Sequence, residues 1–247
     1  MITRRDTLKA LLGSIAAVAA HGGSVMADTK APTGAPIGPA SRAYGGAHEV
    51  KPLPFDPAKL KGLSEKLLTS HHDNNYAGAV KRLNLIEQQL GQMPKDAAPY
   101  QLGALKREEL IATNSMILHE FYFGNLGGNG KTSGPIVPLL TGAYGSLAAW
   151  EQEVRQTGLS LGGGSGWVIV SYSPHDRAVH TYWAGDHTQN LAWGMPLLVM
   201  DMYEHAYAID YGAAAAKYID AFFQNIQWDE VQRRLERAQK AGVALRA

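Results

Sequence analysis

The sequence predicts an α+β fold, in which an N-terminal pair of helices precedes a mixed α/β domain with a small antiparallel sheet. Apolar residues recur every three or four positions through residues 60–90 and again through 105–123, which is the period of an amphipathic helix. Two segments rich in apolar and β-branched residues, 167–172 and 178–183, enclose the turn residues 173–176 as in a β-hairpin. A chain of 247 residues with 45% hydrophobic and 18% charged side chains is long enough to bury one or two cores.

Composition and charge narrow the classes of function. The formal net charge is +1, from 23 Lys and Arg against 22 Asp and Glu, and the sequence contains no basic stripe. Clustered positive charge is what binds a phosphate backbone, so we expect no nucleic-acid partner. The chain has no cysteine, which excludes disulfides, thiolate nucleophiles, zinc–thiolate sites and iron–sulfur clusters. Any metal must therefore be held mainly by His, Asp or Glu.

Residues 1–27 have the composition of an export signal peptide. Arg4 and Arg5 precede a mostly apolar run at residues 10–20, which is too short to span a bilayer. Paired arginines before a weakly hydrophobic segment resemble a twin-arginine signal, whose route carries proteins that have already folded. We expect cleavage after Ala27 and a periplasmic or otherwise exported protein without a membrane anchor. The alternative is an amphipathic N-terminus of a cytoplasmic protein.

Two regions follow before the predicted sheet. Residues 28–54 are rich in Pro, Gly, Ala and Thr without an apolar period, and they predict an extended arm. Residues 55–126 predict a helical-hairpin domain. Its first part is one long helix or a pair, which starts at residues 56–57 and ends before Gly91. A second helix covers residues 105–123 and ends in a glycine-rich stretch.

The remaining region, residues 127–247, is predicted to be the C-terminal α/β domain. A Gly-Lys-Thr sequence within residues 128–134 is similar to the end of a phosphate-binding loop, but the first glycine of that motif and a preceding strand are missing. We therefore expect no nucleotide site. The predicted elements are a helix at residues 144–155, strands at 167–172, 178–183 and 196–200, and helices at 218–226 and 228–238.

Asp201 and His205 indicate a metal site. Their four-residue spacing lets a carboxylate and an imidazole meet one ion on a helix or at a turn. The spacing alone more often marks a local hydrogen bond or a surface pair. Asp201 directly follows the apolar residues 197–200, however, and a buried carboxylate is costly unless it is paired or binds a metal. Three histidines with one aspartate would suit iron or manganese as well as zinc.

Two segments carry a more specific pattern. The first is Gly-Ser-Gly-Trp at residues 164–167, and the second is Asp-Met-Tyr-Glu-His-Ala-Tyr at residues 201–207. They resemble the iron/manganese superoxide dismutase family, whose metal motif is Asp-x-Trp-Glu-His-Ala-Tyr, with Tyr203 here in place of the tryptophan. The likeness runs from about residue 60 to residue 231. It implies a helical hairpin and an α/β domain that hold one metal ion between them.

The resemblance implies an activity and a ligand set. The activity is the conversion of superoxide to oxygen and hydrogen peroxide by alternate reduction and oxidation of one Fe or Mn ion per subunit. His71 is placed as a ligand by the register of Val-Lys-Arg-Leu-Asn at residues 80–84, and its neighbour His72 is the alternative. His119 is recognised by two aromatic residues that follow three and four positions later. The implied ligands are His71, His119, Asp201 and His205.

The resemblance also implies the surroundings of the metal. His187 stands where the family has a glutamine or histidine that hydrogen-bonds the metal's solvent ligand, so it is the candidate proton relay. The alternative for His187 is an exposed turn residue. Glu204 resembles a glutamate that bridges two subunits, so we expect a homodimer. The residues expected to line the metal pocket are Tyr122, Phe123, Trp167 and Tyr203.

The substrate gateway, which in the family is the group of residues that screens and protonates the substrate, departs from the family pattern. The family has a histidine four residues and a tyrosine eight residues after its first ligand, and this sequence has Asn75 and Ala79 there. We expect Tyr76 and Tyr207, with Asn75, to replace the gateway only in part. These two tyrosines are the candidate catalytic residues besides His187.

The same residues allow three alternatives to a superoxide dismutase. An exported dimeric scaffold of the same fold, which binds metal but turns over weakly, is favoured by Asn75 and Ala79. A non-haem iron oxygenase would use two histidines and one carboxylate, and a fourth ligand argues against it. A secreted α+β domain with core histidines would make the family pattern a coincidence. Both iron and manganese remain open as the metal.

Overall fold

The structure, a computed structural model, describes residues 42–189 and 192–244, which belong to one compact unit, Ile37–Ala247. The predicted signal peptide at residues 1–27 lies outside the described residues, and so does the first part of the predicted arm. No helix among the described residues is both long enough and apolar enough to cross a membrane.

The N-terminal half of this unit is the predicted helical hairpin. Its first limb is one continuous helix that consists of α1 (Glu65–Ser70), a π-helical turn (His71–Tyr76) and α2 (Ala77–Gly91). Its second limb is α3 (Pro99–Gly124). The apolar residues that recur along α2 are buried, as the periodicity predicts, and α2 packs against α3. In α3 the expected burial is confirmed for Leu118 and is wrong for Leu110 and Ile117, which are exposed.

The first helix begins later than the sequence predicts. Asp56 caps only a short 3-10 helix, Pro57–Lys59. Gly62 then adopts a φ of +71°, a left-handed conformation that interrupts helical structure. The Ser64 hydroxyl accepts the backbone N–H of Leu67 over 3.1 Å, so this serine is the cap from which α1 starts.

The π-helical turn is a feature that the apolar periodicity does not reveal. In a helix with i→i+5 bonds, residues 71 and 76 lie about one turn apart. The side chains of His71 and Tyr76 are both buried, each with 1% of the residue exposed. Such turns occur often at functional sites because they redirect side chains locally.

The described part of the predicted arm is fixed on the hairpin. After a short 3-10 helix (Arg42–Tyr44), Asn84 of α2 accepts the backbone N–H of His48 over 2.8 Å and donates to its carbonyl over 2.9 Å. The Glu87 carboxylate accepts the backbone N–H of Gly46 over 2.7 Å and contacts Nε2 of His48 at 2.8 Å. This stretch contains no regular element after the 3-10 helix and no buried residue, and side chains of α2 bind its backbone. The bounds of the predicted arm stay a prediction.

The C-terminal half contains the predicted antiparallel sheet. Its three strands are β1 (Trp167–Ser173), β2 (Ala178–Ala184) and β3 (Met195–Asp201), in the order β2–β1–β3. They agree with the predicted strands to within one residue at each end. The central strand β1 is buried along its whole length. Trp167 pairs with Ala184 on one side and with Asp201 on the other.

The helices of this half are α4 (Ile136–Tyr144), α5 (Leu147–Leu159), α6 (Ala208–Tyr211), α7 (Ala215–Gln224) and α8 (Trp228–Ala244). The sheet packs against α4, α5 and α8, and α3 of the hairpin packs against β3.

The predicted helix at residues 144–155 is wrong at its start, because Tyr144 ends α4. Gly145 then has a φ of +81°, and Ser146 caps α5. The helix α4 was not predicted, and its Pro138 lies in the first turn, where proline is tolerated.

The predicted start of the second hairpin helix is also wrong, because α3 begins six residues earlier, at Pro99 rather than at residue 105. Most side chains of that first stretch are exposed, so they follow no apolar period.

Candidate metal centre

Four side chains from separate parts of the fold converge between the hairpin and the sheet. His71 opens the π-helical turn, His119 lies near the end of α3, Asp201 ends β3, and His205 lies in the short 3-10 helix Glu204–Ala206. Their ligand atoms all lie within 4.8 Å of one another. In the part of the chain that the structure describes, no other set of three or more His, Asp or Glu side chains converges in this way.

The Asp201 carboxylate is the centre of the group. Its Oδ1 accepts the backbone N–H of Tyr203 over 2.8 Å, which turns Oδ2 toward the imidazoles. The Nε2 atoms of His71, His205 and His119 lie 3.1, 3.2 and 3.6 Å from Oδ2. Three imidazole nitrogens and one carboxylate oxygen thus point at a common centre.

The hydrogen bonds of His119 show whether these residues fit a metal ion. Its Nδ1 lies 2.6 Å from the Ser115 carbonyl, which is only an acceptor, so Nδ1 carries the ring proton. Its Nε2 therefore has a lone pair, and it is buried without a hydrogen-bond partner among the described residues. That lone pair faces Oδ2 of Asp201, which is also an acceptor. Two buried acceptors repel each other unless a cation lies between them, so the residues fit a bound metal.

Burial holds His71 and His119 in the neutral form that binds metal. Burial, and then the charge of His71, lowers the pKa of His119 to about 3, and burial also lowers the pKa of His71. Burial alone would raise the pKa of Asp201. The charge and hydrogen bonds of His205 and His71 outweigh that effect and hold this pKa well below its usual range. Neutral imidazoles with an ionised carboxylate are the ligand state that a metal requires.

His187 lies beside the group with its ring orientation fixed. Its Nδ1 accepts the indole N–H of Trp167 over 3.0 Å, and the Asn114 amide donates to its backbone carbonyl over 2.6 Å. Its ring stacks on Tyr203 at a centroid distance of 4.7 Å and lies 6.4 Å from the ring of His119. Burial lowers the pKa of His187. Because Nδ1 accepts a hydrogen bond, the proton of the neutral ring is on Nε2.

Aromatic rings surround the histidines, and they are the ones that the resemblance implies. The distances between ring centroids are 5.0 Å from Tyr122 to His71, 5.0 Å from Phe123 to His71, 5.1 Å from Trp167 to His119, and 5.2 Å from Tyr203 to His205. Burial and then the charge of Asp201 raise the pKa of Tyr203 to about 12, so its hydroxyl stays protonated.

The two predicted catalytic tyrosines have engaged hydroxyls. Tyr76 accepts the backbone N–H of Lys51 and donates to Glu120, each over 3.0 Å. Tyr207 accepts the backbone N–H of Gly163 over 3.1 Å. A role in the reaction stays a prediction for both residues.

The other predicted residues are placed as follows. Asn75 is partly buried in the π-helical turn, Ala79 is buried in α2, and Glu204 is exposed. His72, the alternative to His71, donates from Nε2 to the Lys51 carbonyl over 2.8 Å. His71, and not His72, therefore joins the four converging side chains.

Two residues that support the site were not predicted. Asn114 fixes the backbone of His187, and the Tyr218 hydroxyl donates to the backbone carbonyl of Asp201 over 2.7 Å. Tyr218 lies in an apolar helical pattern that indicates only a core position. Asn114 carries no local signal, because its partner is 73 residues away in the sequence.

The comparisons with known proteins agree with this geometry. Residues 132–234 match the family described as iron/manganese superoxide dismutases, C-terminal domain. The superoxide dismutase (Fe) of Cupriavidus metallidurans is 53% identical over 192 residues, which cover 77% of this chain and 98% of that protein. The superoxide dismutase (Fe) of Aquifex aeolicus is 34% identical over 211 residues, or 81% of this chain and 98% of that protein. The superoxide dismutase (Mn) of Haloarcula marismortui is 30% identical over 195 residues, or 77% and 94%.

The matches to these relatives extend over nearly their whole length, so they include both the helical hairpin and the C-terminal half with its three-stranded sheet. The four converging side chains come from both of these parts. The chain belongs to the iron/manganese superoxide dismutase family.

Proposed function

We propose that this protein is a superoxide dismutase, which converts superoxide to oxygen and hydrogen peroxide with one iron or manganese ion per subunit. The observation that carries the proposal is the convergence of three imidazole nitrogens on one oxygen of Asp201. The buried, unpartnered Nε2 of His119 supports it, because that lone pair needs a cation. Membership of the family supplies the reaction class.

The proposed ligands are His71, His119, Asp201 and His205. A bound iron or manganese ion supplies a one-electron redox couple, which the dismutation of a radical anion needs in both directions. The Ser115 carbonyl fixes the ring of His119, and the backbone N–H of Tyr203 fixes the carboxylate of Asp201. Groups that orient ligands in this way set both the affinity and the potential of a site.

Proton delivery is assigned to His187. Formation of hydrogen peroxide from superoxide consumes two protons, so a donor must lie next to the reacting centre. Trp167 occupies Nδ1 of His187, which leaves Nε2–H as the donor of a ring that stacks on Tyr203. The rings of Tyr122 and Phe123 exclude water from the other side of the imidazoles.

Asn75 and Ala79 favour a second candidate function, a metal-binding scaffold of the same fold. Neither an amide nor a methyl group transfers protons as an imidazole or a phenol does. Tyr76 and Tyr207 replace the gateway only in part in this proposal. The scaffold would bind metal fully and turn over superoxide weakly.

The test is the metal content and the dismutation rate of purified wild-type protein and of His119→Ala. We expect one ion per chain with dismutation in the wild type, and the loss of both in the variant. A control is His180→Ala, which removes an imidazole that bonds Asp176 on the sheet surface and should change neither quantity. Bound metal without dismutation would favour the scaffold. Wild-type protein that folds with iron or manganese supplied and takes up neither would contradict both functions.

A homodimer is part of the proposal. Glu204 is exposed and adjacent to His205, the ligand with the largest exposed fraction, 26% of its side chain. A second subunit that covers this surface would shield the site from water. We expect Glu204→Lys to shift the mass measured by light scattering from dimer toward monomer, whereas Glu236→Lys on the exposed face of α8 should not. A Glu204→Lys protein that stays fully dimeric would contradict the role of Glu204.

Export by the twin-arginine route is also proposed, on the support of Arg4 and Arg5 before the apolar run at residues 10–20. Export after folding would let the metal be bound in the cytoplasm. We expect the exported protein to begin at Asp28 and the variant with lysine at both positions to remain unprocessed. Full-length wild-type protein found only in the cytoplasm would contradict the proposal.

A further inference from the structure

The Tyr76 hydroxyl bonds to both the N-terminal segment and α3. It accepts the backbone N–H of Lys51 over 3.0 Å and donates to Oε1 of Glu120 over 3.0 Å. Only 1% of Tyr76 is exposed, so its hydroxyl has little water to replace these partners. Loss of either bond would leave a polar group poorly satisfied at the edge of the interior.

Both ends of the Tyr76–Glu120 hydrogen bond lie close to proposed metal ligands. Tyr76 closes the π-helical turn that His71 opens, and Glu120 directly follows His119 on α3. The ring of Tyr76 lies 6.3 Å from the ring of His119. The hydrogen bond therefore joins the two limbs of the hairpin next to the proposed metal ligands.

Lys51 reinforces this connection from outside. Its carbonyl accepts Nε2–H of His72 over 2.8 Å, and its ammonium pairs with the Glu120 carboxylate. The Lys51 side chain is 69% exposed, so the ion pair contributes little by itself. It uses the other carboxylate oxygen of Glu120, Oε2, and leaves Oε1 to the Tyr76 hydroxyl.

We propose that Tyr76 is a positioning residue of the metal centre, whose bond to Glu120 sets the spacing between His71 and His119. The inference rests on the proposed ligand set. Because the two histidines belong to different limbs of the hairpin, the position of each limb decides where its nitrogen lies relative to the ion. This role differs from that of a gateway residue, since it acts through the ligands and not on the substrate.

The test is Tyr76→Phe, which keeps the ring and removes both hydrogen bonds. We expect iron or manganese to be lost to a chelator about 10-fold faster than from the wild type, as is usual when groups behind metal ligands are removed. We also expect the absorption and electron paramagnetic resonance spectra of the bound ion to change. A merely structural role would lower the unfolding temperature without changing those spectra.

Variants of Glu120 separate the hydrogen bond from the ion pair. Glu120→Gln keeps an oxygen that accepts the Tyr76 hydroxyl and loses the charge that pairs with Lys51, so we expect metal release near the wild-type rate. Glu120→Ala should release metal as fast as Tyr76→Phe. The double variant should be no faster than either single variant, because both substitutions remove the same bond.

Two controls make the outcome decisive. Tyr144→Phe removes a hydroxyl that hydrogen-bonds Thr181 over 3.1 Å in the C-terminal half, and it should release metal at the wild-type rate. Wild-type release and spectra for Tyr76→Phe, or equally fast release from Tyr144→Phe, would overturn the inference. His119→Ala must fail to retain metal. Retention by that variant would overturn the ligand set itself, which is a distinct result.

Discussion

The indole N–H of Trp167 donates a 3.0 Å hydrogen bond to Nδ1 of His187, and this bond decides which nitrogen of the imidazole carries its proton. Trp167→Phe keeps a ring beside His119 but removes the donor. His187 can then adopt either tautomer, so we expect the dismutation rate to fall about 10-fold while the metal content is unchanged. Stopped-flow rates on samples matched for metal content would measure this effect.

His187→Ala gives the reference for that measurement. Removal of the proposed proton donor should cost about 100-fold in rate, and Trp167→Phe should have no further effect in its background. A control is Trp150→Phe, since the buried Nε1 of Trp150 has no hydrogen-bond partner among the described residues. A wild-type dismutation rate in His187→Ala would show that His187 is not the proton donor.

Metal removal is expected to lower the stability of the fold. Without a cation, the Nε2 lone pair of His119 faces an oxygen of the ionised Asp201 in a buried site. An ion present at about a thousand times its dissociation constant stabilises the native state by about 4 kcal/mol. Calorimetry with and without a chelator should therefore show a lower unfolding temperature in the metal-free protein. His119→Ala, which is expected to be metal-free already, should show no difference.

Local signals explain why much of this fold could be predicted from the sequence. The strands follow from β-branched segments on either side of the turn at residues 173–176, and the hairpin follows from apolar periodicity in α2 and α3. The convergence of Asp201 and His205 follows from a motif within one turn of chain. Each of these features is encoded by residues that are neighbours in the sequence.

The contacts that escaped prediction join distant residues. The Tyr76–Glu120 hydrogen bond spans 44 positions, and the bond from Asn114 to His187 spans 73. Neither residue type indicates its partner, because a tyrosine in an apolar period predicts only burial. The π-helical turn escaped for a different reason, since its six residues, His71–Tyr76, include no aliphatic side chain, so the apolar period carries no information about their hydrogen bonds.

Asn125 connects the end of α3 to the edge strand β3. Its Oδ1 accepts the backbone N–H of Val199 over 2.8 Å, and its amide donates to the Leu197 carbonyl over 3.3 Å. The Leu197 carbonyl also accepts from Arg234, so Asn125→Ala mainly leaves the Val199 N–H unpaired. We expect a loss of about 1–3 kcal/mol in the free energy of unfolding, measured by urea denaturation.

The matched control for this substitution is Asn129→Ala in the following loop. Asn129 is exposed, and its Oδ1 accepts only a local hydrogen bond from the N–H of Lys131 over 2.9 Å among the described contacts. Its loss should change the free energy of unfolding by no more than about 0.5 kcal/mol. Equal effects at the two asparagines would show that Asn125 does not hold β3 against α3.

Gly128 and Gly103 should respond in opposite directions to substitution by alanine. A Cβ atom at Gly128 would lie 2.2 Å from the carbonyl oxygen of Ile226 and 2.5 Å from Cα of Gln227, which are backbone atoms that cannot move aside alone. We expect Gly128→Ala to destabilise the protein by about 3 kcal/mol. Gly103 lies inside α3 and is exposed, and its Cβ would meet no atom within 4 Å.

Gly103→Ala should therefore stabilise the protein by about 0.5–1 kcal/mol, because alanine restricts the unfolded chain and favours the helix. Urea unfolding of both variants at the same metal content would measure the two effects. Stabilisation by Gly128→Ala would contradict the close packing of the loop after α3 against the α7–α8 connection. The 3.0 Å hydrogen bond from the Gly128 N–H to the Asn225 carbonyl would then have to be absent in solution.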